Sequence, residues 1–192
     1  PHQQYNIGGN WHTDHSYDQI PALGSMLYAK ELPKVGGDTL FAGCAAAFDT
    51  LSEGMKSTLR SLRAVHSSRH VFGKSAAIPD DMADLFGNAD KALQDAEHPV
   101  VIKHPLSGRE TLYVNPGFTT RFVGWTEKES NSLLAFLYEH ISRPEHTYRF
   151  QWSKGALAFW DNRATWHLAV NDYPGETRLM HRITIEGEPL EP

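Results

Sequence analysis

Two residues near the start of the chain give the first indication of chemistry, His12 and Asp14 in the segment WHTD. On a β-strand, side chains at positions i and i+2 project from the same face. An imidazole nitrogen and a carboxylate oxygen would then meet at one point, where they can bind a divalent metal ion. The adjacent His15 would face away. An isolated His-x-Asp pair is weak evidence, because both residue types also recur in turns.

A candidate third metal ligand lies late in the chain, at His167 in the segment WDNRATWH. An antiparallel β fold can bring this segment back to the first one. Two histidines and one carboxylate on one face leave three coordination positions open, which is the arrangement of non-heme Fe(II) oxygenases. Zinc sites are normally four-coordinate. A metal hydrolase that holds a zinc-bound water with the same three residues remains an alternative.

Three further residues could bind anions. Thr39 ends the glycine-rich segment GGDT, and Arg178 and Arg182 are separated by four positions in RLMHR. On one strand, both arginines can face the same side. A guanidinium is a rigid bidentate donor that suits a buried carboxylate better than lysine does. The alternative is a row of ordinary surface ion pairs.

The first half of the chain is predicted to contain two neighbouring strands, at 24–32 and 36–43, that carry these motifs. Apolar residues spaced by three or four over 45–62 predict one helical face, which Gly54 divides into two short helices. Residues 73–98 are polar and weakly patterned. This pattern predicts a loop or lid with one helical turn near DDMADLF.

The second half is predicted to be mostly β structure. HPVVIKHP and ETLYVNPG form a strand pair around the turn LSGR, and TEKESNSLLAFLYEHI forms a helix that begins with a capping box of Thr126 and Glu129. Residues 146–170 alternate as two strands joined at SKG, and RLMHRITIEG is the last strand. Many strands, few helices and no βαβ rhythm predict a mainly β fold with flanking helices, an antiparallel sandwich or barrel.

Composition limits the class of protein. The chain has 192 residues, of which 40% are hydrophobic, so we expect one domain over 1–192. A net charge of −5 without clustered cations argues against nucleic-acid partners and favours small molecules. A single cysteine, Cys44, and the lack of an apolar stretch of roughly 20 residues predict a cytoplasmic protein without a membrane partner. The polar segment that begins at Pro1 resembles the middle of a protein sequence rather than its start. We therefore expect a preceding N-terminal part.

The motifs WHTD, GGDT, WDNR…H and RLMHR follow the order seen in the taurine dioxygenase family of Fe(II)/2-oxoglutarate-dependent dioxygenases. The chain resembles this family from Trp11 to Gly187. The resemblance implies a double-stranded β-helix, or jelly roll. It also implies a cosubstrate, 2-oxoglutarate, and a metal ion, Fe(II). The implied metal-binding and catalytic residues are His12, Asp14 and His167, and the implied 2-oxoglutarate-binding residues are Thr39 and Arg178.

The resemblance also implies a substrate. Arg182 matches the residue that grips the anionic end of the substrate, and Phe118 and Phe72 resemble the aromatic pocket wall, although aromatic residues in β proteins are often plain core. The implied reaction hydroxylates a carbon of a small anionic substrate, a sulfonate or a carboxylate, with dioxygen, and releases succinate and CO2. Members of the family often form homo-oligomers, so this state is open for the chain.

The chain departs from the family pattern at Gly8, four residues before His12, where we would expect an asparagine. The family's upstream segment, which supplies further substrate-binding residues, has no counterpart in this sequence. The resemblance therefore does not imply taurine as the substrate. A non-catalytic module that binds only 2-oxoglutarate or a metal remains a second alternative.

Overall fold

Antiparallel strands make up most of the regular structure in the computed structural model, which describes residues 8–72 and 94–192. In these residues the strands are Gly24–Glu31 (β1), Thr39–Gly43 (β2), Arg63–Ser67 (β3), Asp95–Pro99 (β4), Val101–Lys103 (β5), Glu110–Leu112 (β6), Thr119–Phe122 (β7), Thr147–Phe150 (β8), Leu157–Asp161 (β9), Thr165–Ala169 (β10) and Leu179–Ile185 (β11). The helices are Cys44–Asp49 (α1), Glu53–Arg60 (α2), Arg69–Phe72 (α3) and Glu127–Ile141 (α4), with a 3-10 helix at Pro144–His146. The prediction of a mainly β fold with flanking helices is confirmed.

The strands form four antiparallel sheets, ordered β11-β1-β9, β10-β2-β8, β4-β3-β7 and β5-β6. Strands β1 and β2 were predicted to be neighbours, but each lies at the centre of a different three-stranded sheet. The chain also changes sheet between β8 and β9, between β9 and β10, and between β10 and β11. The chain therefore alternates between the first two sheets, and both contribute residues to the candidate site.

The apolar core lies where α1 and α4 pack against the strands. Its fully buried members include Phe48, Leu59, Leu137, Ile141 and Trp166. Leu137 and Ile141 are four positions apart, so they lie on the same face of α4. None of the helices within 8–72 and 94–192 has the length and apolar character needed to cross a bilayer.

The helix ends show what local sequence could and could not predict. The predicted capping box of α4 is present, because Thr126 and Glu129 each bond the other's backbone. The predicted break at Gly54 is wrong. Helix α1 ends at Asp49 with Thr50 as its C-cap, and Ser52 caps the start of α2 by accepting a hydrogen bond from the Met55 amide. Gly54 lies inside the first turn of α2.

Two strand predictions also need correction. The segment 73–98 was predicted as loop; residues 73–93 lie outside the described part, but Asp95–Pro99 is a strand that pairs with β3. Residues 146–170 hold three strands rather than two. Strand β9 pairs with β1, and β10 pairs with β2. In each case the pairing partner is distant in sequence, so local pattern could not reveal it. The predicted pair β5-β6 is present.

Candidate active site

The three candidate metal ligands converge although only His167 lies within a regular strand. His12 forms an isolated antiparallel bridge with His167, in which each backbone amide donates to the other's carbonyl, at 3.1 and 2.9 Å. Asp14 lies in the turn that follows. The prediction that His12 and Asp14 share a regular strand is therefore wrong. The turn continues at His15, which has a positive φ of 56° and whose ring contacts the Asp18 carboxylate instead.

The side chains of these residues point at one another. Asp14 Oδ1 lies 3.7 Å from His12 Nε2 and 3.6 Å from His167 Nε2. One ligand atom from each of the three residues lies within 4.8 Å of the others, and no second cluster of this kind occurs in the described residues. Protein nitrogen and oxygen ligands bind transition metals at about 2.0–2.2 Å, so atoms at these separations can share one ion. The donor set fits Fe(II).

Neighbouring groups hold both imidazoles in place, although Nδ1 of His167 is buried without a hydrogen-bond partner among the described residues. Nδ1 of His12 donates to the Asn10 carbonyl at 2.8 Å, which leaves the lone pair of Nε2 for the centre of the cluster. The His167 ring packs against Trp160 with ring centroids 4.7 Å apart. The Trp160 indole donates in turn to the Asn162 side chain at 2.9 Å. Asn162 therefore supports His167 indirectly, through Trp160.

The charges at the cluster favour metal binding. Burial alone would raise the pKa of Asp14, but the positive charges of His167 in its protonated form, Arg182 and His12, together with a hydrogen bond from Ser25, lower it to about 2. Burial, with the nearby His12, lowers the pKa of His167 to about 3. Asp14 is therefore anionic and His167 is neutral at neutral pH. These are the forms that bind a metal ion.

The second oxygen of Asp14 is held by two donors that the sequence did not connect with it. Oδ2 accepts a hydrogen bond of 2.7 Å from the Ser25 hydroxyl and lies 2.6 Å from Arg182 Nη2. Ser25 and Leu27 lie on one face of β1, and Arg182 stands opposite Leu27 on β11. The register between these strands therefore brings Ser25 and Arg182 to the carboxylate.

The glycine-rich segment GGDT packs against Arg178, and together they form the candidate 2-oxoglutarate-binding part of the site. Arg178 Nε donates to the Gly37 carbonyl at 2.9 Å, while Arg178 Nη2 is buried and has no hydrogen-bond partner among the described residues. Gly37 has a φ of +71°, and a Cβ there would lie 3.1 Å from Arg178 Cδ. Burial lowers the pKa of Arg178. An unpaired, buried guanidinium nitrogen is costly unless an anion binds it, so this nitrogen marks a candidate carboxylate site.

Trp152 connects Thr39 with Arg178, and sequence reasoning missed it. Its indole Nε1 donates to Thr39 Oγ1 at 3.0 Å, and the Arg178 guanidinium lies 5.9 Å from the centre of its ring. Because Thr39 Oγ1 accepts this bond, its own proton can be donated to a ligand. Arg178 precedes β11, so the two arginines do not share a strand as predicted. Within the described part of the chain, neither belongs to a row of surface ion pairs.

One of the two predicted pocket aromatics lies beside the candidate metal ligands. Phe118 is buried, and its ring meets those of His12 and Tyr17 edge-on, at centroid distances of 6.2 and 4.8 Å. Phe72 ends α3, but its side chain lies outside the described part. Gly117 allows the close approach, since a Cβ there would lie 2.7 Å from His12 Cβ.

The histidines without a predicted role lie in other contacts. His66 and His98 pack with Tyr113, His104 pairs with Asp161, and His140 and His146 flank Thr50. His70 contacts the turn that carries Phe118, because its ring Nε2 lies 2.8 Å from the Gly117 carbonyl. Since a carbonyl only accepts, the ring nitrogen is the donor.

Known proteins of one family match this chain over most of its length. Residues 1–184 match the family model described as "Taurine catabolism dioxygenase TauD, TfdA family". An alkylsulfatase from Acinetobacter baylyi is 38% identical over 182 residues, which cover 93% of this chain and 57% of the relative. An alpha-ketoglutarate-dependent sulfate ester dioxygenase from Pseudomonas putida is 37% identical over 183 residues, which cover 93% of this chain and 60% of the relative.

A solved structure shows the same likeness. The crystal structure of a taurine dioxygenase from Burkholderia xenovorans matches with a TM-score of 0.78 and 36% identity, over 96% of this chain and 59% of that one. The chain thus spans about three fifths of the length of these three proteins. The jelly roll that the motifs implied is confirmed by this structural match. The chain belongs to the taurine catabolism dioxygenase TauD, TfdA family.

Proposed function

We propose that this chain contains the active site of an Fe(II)- and 2-oxoglutarate-dependent dioxygenase that hydroxylates a small anionic substrate. The observation that carries the proposal is the meeting of His12 Nε2, Asp14 Oδ1 and His167 Nε2 around one point. Two imidazoles and one carboxylate are the ligands of non-heme iron oxygenases. The names of the relatives support the same reaction class.

In this proposal, His12, Asp14 and His167 hold Fe(II), and Arg178 with Thr39 holds the distal carboxylate of 2-oxoglutarate. When bound, iron and 2-oxoglutarate supply the oxidative decarboxylation that yields succinate and CO2 and activates dioxygen. The chain's own residues orient and shield the reactants. Trp152 directs the Thr39 hydroxyl, and the buried Phe118 keeps water from one side of the metal ligands.

The substrate class in this proposal is a sulfate ester, a sulfonate or a carboxylate. Arg182, and the pocket wall of Phe118 and Phe72, would bind it. The asparagine expected at Gly8 is absent, and the φ of +124° there strains any side chain. A Cβ at this position would lie 3.6 Å from the His12 ring, so the contact expected from an asparagine beside the candidate metal ligands is missing, and the proposal does not name taurine as the substrate.

The products distinguish these substrates. Hydroxylation of the carbon that bears a sulfate ester gives an aldehyde and sulfate, and hydroxylation next to a sulfonate gives an aldehyde and sulfite. Hydroxylation next to an ether oxygen of an aryloxyacetate cleaves the ether. Release of sulfate or of sulfite therefore reports hydroxylation and distinguishes a sulfate ester from a sulfonate, and an aryloxyacetate releases neither.

An anaerobic titration of the metal-free protein with Fe(II) and 2-oxoglutarate tests the proposal. We expect a visible charge-transfer band that requires both additions, followed by release of succinate when an alkyl sulfate or alkyl sulfonate and dioxygen are supplied. The control replaces 2-oxoglutarate with succinate, which lacks the keto group. A folded protein without the band would favour the non-catalytic module. Turnover with Zn(II) and without 2-oxoglutarate would favour the hydrolase.

Trp152→Phe tests the second part of the site. Phenylalanine keeps an aromatic face near Arg178 but removes the indole donor to Thr39. We expect 2-oxoglutarate affinity to fall about fivefold, since one neutral hydrogen bond contributes about 1 kcal/mol. The matched control is Trp125→Phe, which lies beside Phe122 and away from the site. Equal affinities in the wild type and Trp152→Phe would contradict the assignment.

The remaining expectations stay predictions. These are one domain over 1–192, a cytoplasmic location, the lack of nucleic-acid and membrane partners, and a homo-oligomer. Sedimentation of the purified protein measures the last of these.

A further inference from the structure

The two oxygens of the Asp14 carboxylate have different surroundings. Oδ1 faces the two imidazoles at 3.7 and 3.6 Å. Oδ2 faces the Ser25 hydroxyl at 2.7 Å and the Arg182 guanidinium at 2.6 Å. The side chain of Asp14 is almost fully buried, so the carboxylate cannot exchange these partners for bulk water. Its orientation therefore depends on the two donors.

The two side chains that donate to Asp14 Oδ2 differ in solvent exposure, and therefore in how easily each can move away from the carboxylate. Ser25 is fully buried in the central strand β1, where it stands opposite Thr184 on one side and Trp160 on the other. The side chain of Arg182 is 43% exposed and extends from the edge strand β11 of that sheet. An anionic ligand can draw the guanidinium of Arg182 away from Asp14, but it cannot reach the Ser25 hydroxyl.

We propose that Ser25 is a positioning residue for the Asp14 carboxylate, and this inference rests on the proposed function. Its hydroxyl keeps Oδ2 turned away from the imidazoles, so that Oδ1 alone faces the metal ion. When an anionic substrate draws on Arg182, Ser25 is the donor that remains. The Arg182 Nη2 atom also lies 3.5 Å from Ser25 Oγ, so the three side chains form one connected group.

A shared function of this kind predicts coupling between the two donors. With one donor removed, the other still holds Oδ2, but less firmly; with both removed, the carboxylate can turn about its Cβ–Cγ bond and Oδ1 no longer faces the metal. Residues that share one partner show non-additive effects when both are changed. A serine that only fills space in β1 would give effects that add.

The experiment measures the dissociation constant of Mn(II) and of Co(II) with the metal-free protein, for the wild type, Ser25→Ala, Arg182→Gln and the double variant. We expect Ser25→Ala to weaken binding about tenfold, the low end of the range for residues that orient metal ligands. The double variant should bind at least about fivefold more weakly than the product of the two single effects predicts.

Two further variants separate positioning from folding. Ser25→Thr keeps the hydroxyl and should bind metal within about threefold of the wild type. Ser130→Ala removes another fully buried hydroxyl, which bonds the Thr126 carbonyl and the Phe122 amide away from the site. It should lower the melting temperature without changing metal affinity.

Different results would overturn the role of Ser25 and the proposed function. Wild-type affinity in Ser25→Ala, additive effects in the double variant, or a loss in Ser25→Thr equal to that in Ser25→Ala would each overturn the role of Ser25 while leaving the metal centre intact. A wild-type protein that binds neither metal would overturn the proposed function, and this inference with it.

Discussion

Asp14→Asn should abolish turnover and weaken Fe(II) or Mn(II) binding by more than about a hundredfold, beyond the roughly 10–100-fold range known for outer-shell partners of metal ligands. Asparagine has the shape of aspartate but no charge, and an amide oxygen is a poor ligand for these ions compared with a carboxylate. Metal affinity can be measured by titrating the metal-free protein, so the result does not depend on knowing the substrate.

Loss of folding should not account for this result. The amide oxygen of the substituted side chain could still accept the bond from Ser25, and Arg182, which is 43% exposed, would regain water in place of its partner. The melting temperature of the metal-free variant should therefore stay close to that of the wild type. Asp18→Asn is a matched control, because this nearby carboxylate pairs with His15 outside the cluster. An Asp14→Asn variant that binds Mn(II) within about tenfold of the wild type would contradict the ligand assignment.

Arg178→Ala should weaken 2-oxoglutarate binding about a hundredfold, measured through the charge-transfer band under anaerobic conditions. Truncating one partner of a buried, hydrogen-bonded charge pair costs about 2–5 kcal/mol, and a hundredfold loss corresponds to about 3 kcal/mol. The unpaired Nη2 atom of Arg178 is the donor that the carboxylate would use. Arg178→Lys should recover little, since an ammonium group cannot form the planar double contact.

Arg182→Ala should weaken binding of the anionic substrate and spare binding of 2-oxoglutarate, if Arg178 binds 2-oxoglutarate and Arg182 binds the substrate. Affinity for 2-oxoglutarate should stay within about threefold of the wild type, because Ser25 still holds Asp14. The Michaelis constant for the anionic substrate should rise. Equal effects of Arg178→Ala and Arg182→Ala on both ligands would refute the division of functions.

The arrangement around Asp14 gives Arg182 two partners in the proposed reaction. In the structure its guanidinium contacts the carboxylate of a candidate metal ligand, whereas the motif alone indicated a substrate anion. The two partners would share one guanidinium, because it has five N–H donors and only one of its nitrogens faces Asp14, and a substrate anion that binds the others would draw on the contact with Asp14. Substrate binding and metal coordination would then affect each other through one side chain.

The sequence by itself determined the family, now confirmed, and the residue types of the site. Candidate metal ligands and anion donors can be predicted from their chemistry and from short motifs, so WHTD, GGDT and RLMHR predicted His12, Asp14, Thr39 and both arginines without a fold. The capping box that begins α4 was equally readable, because both of its residues lie within one turn.

Only the tertiary structure decided which strands pair and which side chains surround these motifs. Ser25 and Arg182 reach Asp14, and Trp152 reaches Thr39, through pairings between segments that are far apart in the chain. The separation of β1 and β2 into different sheets and the strand at Asp95–Pro99 depend on the same pairings. A residue's own sequence neighbours do not specify its cross-strand partner, because sheet register is set by the packing of whole faces.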